Sequence, residues 1–117
     1  MIYTERPWGW YEMLGGGSET AGFKLKRICV KPGKRISLQS HKFRSEHWVI
    51  IKGAGKVTLG STEFNVSPNQ HVFIPVGEIH RIENIGTLED LIFIETQTGT
   101  YFGEDDIVRY DDDFGRL

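Results

Sequence analysis

Turn-forming residues interrupt the 117-residue chain at short, regular intervals, and this spacing limits its fold more than any other feature. Clusters of Gly, Pro, Asn and Ser recur about every 8–12 residues, and the runs between them are rich in Val, Ile, Phe and Thr. No long stretch shows a capped helical period. The pattern predicts an all-β protein, a sandwich or barrel. The predicted strands are Phe23–Lys31, Ile36–Ser40, His47–Lys52, Gly55–Leu59, Thr62–Val66, His71–Ile74, His80–Asn84 and Asp90–Thr96.

The length corresponds to a single domain, which can bury roughly two thirds of its unfolded surface without disulfides. We divide it into an N-terminal arm (1–20), a barrel (21–99) and a C-terminal segment (100–117). The glycine run that begins at Gly15 and ends at Ser18 predicts a mobile loop between the arm and the barrel. The dipeptide Gly60-Ser61 predicts a hairpin turn, since glycine adopts positive φ at low steric cost.

Composition excludes several classes of protein. Cys29 is the single cysteine, so no internal disulfide forms, which fits a reducing cytoplasm. Fourteen Lys and Arg face sixteen Asp and Glu, and the net charge of -2 argues against a nucleic-acid binder. No apolar run approaches the ~18 residues of a membrane span. We therefore expect a cytoplasmic protein that binds neither nucleic acid nor membrane.

Four polar side chains predict a metal site. Gln39 and His41 share one face of an extended strand, Glu46 follows in the next strand, and His80 lies much later. Nitrogen and oxygen ligands of this kind suit zinc, manganese, iron, cobalt or nickel. A lone histidine in a β-protein is more often structural, and we assign His47 and His71 no role. The spacing of the four residues favours a site.

The same residues resemble the two motifs of the cupin superfamily. The first is Gly33-x5-Gln39-x-His41-x4-Glu46-x6-Gly53, with Gln in the first His position, and the second is Pro75-x-Gly77-x2-His80-x3-Asn84. Asn69 replaces the glycine that usually leads the second motif, and Asn also accepts left-handed backbone geometry. The resemblance implies a cupin fold, a double-stranded β-helix or jelly-roll barrel. It also implies one divalent metal ion held by the four residues.

Nearly the whole chain further resembles the type II mannose-6-phosphate isomerase family. The matching segments are Arg6-Pro7-Trp8-Gly9, 23–28, 37–39, Arg44-Ser45-Glu46-His47-Trp48, 103–109 and 113–116. The resemblance implies a metal-dependent aldose–ketose isomerase that interconverts mannose 6-phosphate and fructose 6-phosphate for nucleotide-sugar and polysaccharide synthesis. It also implies a homodimer, to which the arm aromatics Tyr3, Trp8, Trp10 and Tyr11 are apolar enough to contribute. In that family the domain commonly follows a mannose-1-phosphate guanylyltransferase. Because 117 residues leave no room for a transferase, we expect a stand-alone isomerase-type domain.

One segment departs from the family pattern. The family typically reads Gln-Met-His-His-His-Arg where this chain reads Gln39-Ser40-His41-Lys42-Phe43-Arg44. The histidine that aligns with the metal ligand survives as His41. If the family uses either of the other two histidines for proton transfer or substrate contact, Lys42 or Phe43 affects catalysis but not metal binding. An altered substrate is equally compatible with the change.

Isomerisation needs a base, a proton donor and positive charge near the developing oxyanion, and a phosphate group needs Arg or Lys. Lys26 and Lys24 share one face of their strand. That face is either a water-exposed outer face or lies at the barrel mouth, where Lys26 would contact phosphate. Glu95 lies either at an exposed strand edge or serves as a proton-transfer group. Arg109 is the preferred catalytic or phosphate-binding residue of the C-terminal segment, and its alternative is an ion pair with Asp105, Asp106 or Asp113.

Two further functions remain open. One is a non-catalytic regulatory cupin that binds a sugar or an anion, which Lys42 and Phe43 motivate. The other is a cupin metalloenzyme of different chemistry, an oxygenase or another sugar isomerase, because two histidines and a carboxylate also suit iron and dioxygen. Glu95 and Arg109 discriminate between binding and catalysis. If both face the cavity near the metal ligands, an enzyme is favoured.

Overall fold

A computed structural model describes residues 2–18 and 20–117, which form two antiparallel sheets and no helix. The all-β prediction is confirmed. The strands are β1 Tyr3–Arg6, β2 Gly9–Gly16, β3 Phe23–Val30, β4 Leu38–Ser40, β5 Arg44–Lys52, β6 Gly55–Leu59, β7 Thr62–Val66, β8 His71–Ile74, β9 His80–Asn84, β10 Leu91–Gly99 and β11 Val108–Asp111. The six-stranded sheet has the order β1-β2-β3-β10-β5-β8, and the five-stranded sheet has the order β11-β4-β9-β6-β7.

The inner faces of β5 and β10 show how the barrel interior is divided. Alternate residues of both strands are buried, as expected when one face of a sheet packs inward. The register places Phe93 opposite Ile50 at one end and Gln97 opposite Glu46 at the other. Apolar side chains therefore fill one half of the interior, and polar side chains fill the other.

The apolar half forms the hydrophobic core. Trp48 and Phe93 are almost completely buried, and their ring centroids lie 5.0 Å apart. The five-stranded sheet contributes Val57 and Ile82, neither of which is exposed. Because buried apolar area is the main favourable contribution to folding, this half stabilises the barrel and the polar half is free to hold a site.

Two predicted turns have the backbone that the sequence requires. Gly60 and Ser61 connect β6 to β7, with Leu59 paired to Thr62, and Gly60 has φ of 59°. Asn69 has φ of 75°, and it is the one non-glycine residue of the described chain with positive φ. Both predictions are confirmed, and Asn69 takes the left-handed conformation that a glycine would otherwise supply.

The strands missed in the sequence lie at the ends of the chain. The structure extends β2 to Gly16, which pairs with Lys24, so the predicted mobile loop does not begin at Gly15. The arm pairs with the barrel through β2 and β3, and Trp8 joins the hydrophobic core. The C-terminal segment adds β11 beside β4. Glycines and charged residues hide β1, β2 and β11 from a hydrophobicity pattern.

Several predicted strands also have different ends. The strand predicted from Ile36 begins at Leu38, and the strands predicted to end at Lys31 and to begin at Asp90 are each one residue shorter there. The strand predicted from His47 begins at Arg44, and the strand predicted to end at Thr96 continues to Gly99. The added residues include polar side chains such as Glu46 and Gln97, which face the polar half of the interior. The described structure contains no helix long and apolar enough to cross a membrane.

Substitution Phe93→Ala tests the division of the interior. Phe93 is 1% exposed and contacts Trp48, so its removal leaves a cavity and lowers the free energy of unfolding by about 3–5 kcal/mol. Phe73→Ala is the control, because Phe73 is 54% exposed and its loss costs less than about 1 kcal/mol. Urea denaturation followed by tryptophan fluorescence measures both. Equal losses would contradict the placement of the core.

Candidate metal centre and cavity

Three strands of the two sheets bring the predicted histidines and carboxylate together. His41 directly follows β4, and His80 begins β9, the neighbour of β4 in the five-stranded sheet. Glu46 comes from β5 in the six-stranded sheet. All three side chains are buried, and one ligand atom from each lies within 4.8 Å of the others. The site therefore lies between the sheets, in the polar half of the barrel.

Hydrogen bonds to the backbone orient both imidazoles toward Glu46. His41 Nδ1–H donates to the carbonyl of Asp106 at 2.6 Å, and His80 Nδ1–H donates to the carbonyl of Glu78 at 2.9 Å. Since a carbonyl only accepts, the proton of each ring in its neutral form lies on Nδ1, and Nε2 carries the lone pair. His41 Nε2 lies 3.2 Å from one Glu46 oxygen, and His80 Nε2 lies 3.7 Å from the other.

These atoms fit a divalent transition metal. His80 Nε2 is buried and accepts no hydrogen bond from the described residues. Burial, together with the charge of Arg44, lowers the pKa of His41 to about 4, so this ring stays neutral at pH 7. Two imidazoles that turn Nε2 toward one carboxylate form a common donor set for zinc, iron and related ions. The three residues form a possible metal-binding site.

The fourth predicted ligand, Gln39, lines the same cavity. It pairs with His80 across β4 and β9. Its amide Nε2 donates to the carbonyl and the hydroxyl of Ser37, at 3.2 and 3.0 Å. These bonds hold the side chain beside the imidazole of the opposite strand. Its role as a ligand stays a prediction.

Arg44 is a site residue that sequence reasoning missed. It is buried two residues before Glu46, on the same face of β5. Its guanidinium donates to Glu46 Oε2 at 2.9 to 3.0 Å and to His41 Nε2 at 3.3 Å. The period of a strand would have placed Arg44 beside Glu46 in the sequence. The arginine balances the charge of the buried Glu46 carboxylate. The oxygen that it binds, Oε2, is also the one that faces His41.

Glu95 lies inside the cavity rather than at an exposed edge. It is 5% exposed, and its two oxygens accept hydrogen bonds from Trp48 Nε1 at 3.1 Å and Gln97 Nε2 at 2.6 Å. Trp48 Nε1 also donates to Glu46 at 3.2 Å and so connects the two carboxylates. Burial, with the nearby Glu46 charge, raises the pKa of Glu95 to about 7.

Lys24 and Lys26 face the interior, and Glu104 of the C-terminal segment pairs with both. Lys26 is 4% exposed, forms a short ion pair with Glu104 and lies 4.0 Å from the centroid of the Tyr11 ring. Lys24 lies 3.7 Å from the same carboxylate. Burial alone would raise the pKa of Glu104, but the lysines and Arg44 outweigh it and lower the pKa to about 2. The segment after β10 therefore closes over part of the barrel mouth.

Arg109 also lines the cavity, on β11 opposite Gln39. The ion pairs considered for it are not present: Asp106 accepts from the backbone of residues 42 and 43, Asp113 pairs with Arg35, and Asp105 accepts from Tyr101. Within residues 2–18 and 20–117, Arg109 makes no ion pair, and its Nε is buried without a hydrogen bond.

The departures from the family pattern lie outside the cavity lining. Lys42 and Phe43 are exposed, and both backbone N–H groups donate to the carboxylate of Asp106 at 2.9 and 3.0 Å. The Phe43 ring packs edge-on against Tyr101, with centroids 6.2 Å apart. Lys42 and Phe43 therefore belong to the surface beside the site, and their side chains form no part of the cavity wall.

The cavity offers about 110 Å³ to water-sized molecules and opens to solvent at its mouth. Apolar side chains such as Ile28, Ile36 and Phe93 form one wall. Charged and polar side chains from the N-terminal arm, the central strands and the C-terminal segment form most of the rest. This combination of an apolar wall and converging polar groups is typical of a small-molecule site.

Comparison with known proteins agrees with this geometry. Residues 2–112 match the family described as mannose-6-phosphate isomerase, C-terminal. The chain belongs to this family. Among its relatives is the xanthan biosynthesis protein XanB of Xanthomonas campestris pv. campestris, which is 47% identical over 111 residues, or 95% of this chain. The chain spans only 23% of the length of XanB.

Solved structures show that this member of the family has a cupin fold, a double-stranded β-helix. The capsular polysaccharide assembling protein CapF of Staphylococcus aureus superposes with a TM-score of 0.80 at 21% identity, covering 94% of this chain and 32% of CapF. The cupin domain of Schizosaccharomyces pombe Cnp3 superposes with a TM-score of 0.70 at 21% identity, covering 77% of this chain and 64% of that one. The predicted jelly-roll barrel is confirmed.

The ion pairs of Glu104 predict a specific loss of stability in acid. A carboxylate whose pKa is lower in the folded state stabilises the fold above its ordinary pKa of 4.5 and ceases to do so as the pH falls toward 2. At pH 7, Glu104→Gln lowers the free energy of unfolding by about 1 kcal/mol, because partial exposure screens the pairs. Between pH 5 and pH 2 this difference from the unsubstituted protein disappears.

Urea denaturation at several pH values measures that difference. Glu63→Gln is the matched control, because Glu63 pairs with Lys56 at 3.2 Å on an exposed hairpin. We expect this control to stay within about 0.5 kcal/mol of the unsubstituted protein throughout. A Glu104→Gln difference that persists unchanged at pH 2 would contradict the ion pairs.

Proposed function

We propose that the protein is a metal-dependent aldose–ketose isomerase that interconverts mannose 6-phosphate and fructose 6-phosphate. The observation that carries the proposal is the position of Glu95, a buried carboxylate in the cavity lined by His41 and Glu46, which form a cluster with His80. Membership of the mannose-6-phosphate isomerase C-terminal family supports the substrate. The name of XanB supports a place in nucleotide-sugar and polysaccharide synthesis.

The proposed ligands are Gln39, His41, Glu46 and His80. A divalent ion held there would polarise the carbonyl oxygen of the open-chain sugar and orient its hydroxyl groups. The backbone bonds to the two Nδ1 atoms fix the ring orientations. Arg44 balances the charge of Glu46 and keeps its carboxylate oriented.

The isomerisation moves a proton between C1 and C2 of the sugar, and the chain offers groups for each requirement. Glu95 is our candidate base: it removes the proton from C2 of mannose 6-phosphate and returns it at C1. The O2 hydroxyl proton passes to O1, so that C2 becomes the carbonyl carbon. Trp48 and Gln97 hold its two oxygens, so the carboxylate cannot swing away from the sugar. Lys26 brings a positive charge into the cavity, where it stabilises the enediolate oxygen.

Arg109 is the third proposed catalytic residue, beside Glu95 and Lys26, because it also lines the cavity. Both Glu95 and Arg109 line the cavity that holds the metal cluster, which favours catalysis over binding alone. The regulatory alternative was motivated by Lys42 and Phe43. Because these two side chains lie outside the lining, they lend that alternative no support.

The metal ligands are tested by elemental analysis of the purified protein after dialysis against manganese or zinc. We expect about one ion per chain, and less than a tenth of that in His41→Ala and His80→Ala, since each removes a nitrogen ligand. His47→Ala is the control, because His47 is exposed and contacts His71 instead. Unchanged metal content in both cavity variants would show that the ion is held elsewhere.

The reaction is tested by a coupled assay of fructose 6-phosphate formation with several added metals. Substitution Glu95→Gln keeps the shape of the side chain and removes the base, so we expect kcat to fall about 10²–10⁴-fold with little change in KM. Thr96→Val is the control on the outer face of the same strand. Absence of turnover with every metal would contradict the proposed function, and full activity of Glu95→Gln would contradict the role of Glu95.

A further inference from the structure

Two groups of cationic side chains surround the cavity, and they differ in how far carboxylates neutralise them. The inner group is Lys24, Lys26 and Arg44, and all three lie within ion-pair distance of Glu104. Arg44 also pairs with Glu46. The carboxylates Glu46, Glu95 and Glu104 therefore surround the inner group. An incoming anion would have to displace Glu104 to reach it.

The outer arginine cluster consists of Arg6, Arg109 and Arg116, all of which line the cavity. Asp112 is the single acidic side chain paired with this cluster among the described residues, and it binds Arg116 at 2.8 and 2.9 Å. Three guanidinium groups thus face one carboxylate. The cluster keeps an excess of two positive charges.

The contacts of Arg6 and Arg109 leave their guanidinium groups available. Arg6 donates to the backbone carbonyl of Glu5 at 3.1 Å and lies 5.3 Å from the centroid of the Tyr11 ring. Arg109 has a buried Nε without a hydrogen bond. Burial first, and then the charges of Arg116 and Arg6, lower the pKa of Arg109. The like charges lie close enough to repel one another, and a bound anion would relieve that repulsion.

We propose that the outer arginine cluster binds the phosphate group of a phosphate monoester whose other end reaches the metal centre. The excess charge matches the ≈ −1.5 to −2 of a phosphate monoester at pH 7. Arginine also presents paired donors that match phosphate oxygens. The inference rests on the proposed function. It moves the phosphate away from Lys26, which the sequence offered as one possible contact, keeps Arg109, and adds Arg6 and Arg116, which the sequence did not single out.

The arrangement also selects the position of the phosphate on the ligand. Isomerisation requires a free carbonyl at one end of the sugar, and the metal cluster lies in the polar half of the barrel interior. A phosphate held by the outer arginine cluster must therefore be on a carbon other than C1 and C2, which both react. An aldose 1-phosphate cannot present a free carbonyl, because the phosphate is esterified to the anomeric oxygen at C1. We expect aldose 6-phosphates to bind productively and aldose 1-phosphates not to.

Binding of mannose 6-phosphate to the metal-loaded full chain, measured by calorimetry, tests the proposal. We expect Arg6→Gln and Arg109→Gln each to raise Kd by at least roughly tenfold, the loss of one charge-assisted hydrogen bond. Affinity of the unsubstituted protein should also fall with salt, and less steeply in both variants. Lys56→Gln removes the same charge from an exposed hairpin, and we expect its Kd to match that of the unsubstituted protein.

Three outcomes keep this inference separate from the proposed function. If Arg6→Gln and Arg109→Gln bind normally and Lys26→Gln loses affinity, the phosphate lies on the inner group, and the cluster assignment is overturned while the isomerase remains. If the arginine variants lose affinity for both mannose 6-phosphate and inorganic phosphate without any turnover in the unsubstituted protein, the anion site stands and the isomerase fails. Equal loss for unphosphorylated mannose would overturn a phosphate-specific site.

Discussion

The Glu46 carboxylate is the contact on which the rest of the site depends. One oxygen accepts from Arg44 and faces His41, and the other accepts from Trp48 and faces His80. Burial raises the pKa of Glu46, His80 and Arg44 lower it, and the balance leaves the pKa below its ordinary value. A buried charge is tolerated only with such partners. It thereby joins β5 of one sheet to β4 and β9 of the other.

The C-terminal segment completes this centre from outside the predicted barrel. The Asp106 carbonyl fixes the His41 ring, and its carboxylate binds the backbone of the loop between β4 and β5. Glu104 pairs with Lys26, and Arg109 lies on β11 beside Gln39. The acidic segment therefore shapes the cavity wall. Acids of a chain end usually remain solvated, and here several of them accept specific hydrogen bonds.

Local patterns account for what the sequence predicted. Alternation revealed the central strands, and motif spacing brought His41, Glu46 and His80 to one site. The strands near the chain ends were missed because residues such as Gly15 and Gly16 interrupt the alternation of apolar and polar side chains. Arg44 was within reach of the same alternation that marked Glu46. The pairing of Lys26 with Glu104 could not be predicted from alternation, because 78 residues separate them and only the return of the chain brings them together. The same return places Arg116 near Arg6, from opposite ends of the chain.

A crystal of the protein soaked in manganese or zinc, with diffraction recorded on both sides of the absorption edge of the metal, tests the central claim most directly. The account predicts one anomalous peak between the sheets, within about 2.0–2.3 Å of His41 Nε2, His80 Nε2 and a Glu46 oxygen. An anomalous peak at the exposed pair of His47 and His71 alone would contradict it. So would a fully occupied metal elsewhere in the crystal with no peak at Glu46.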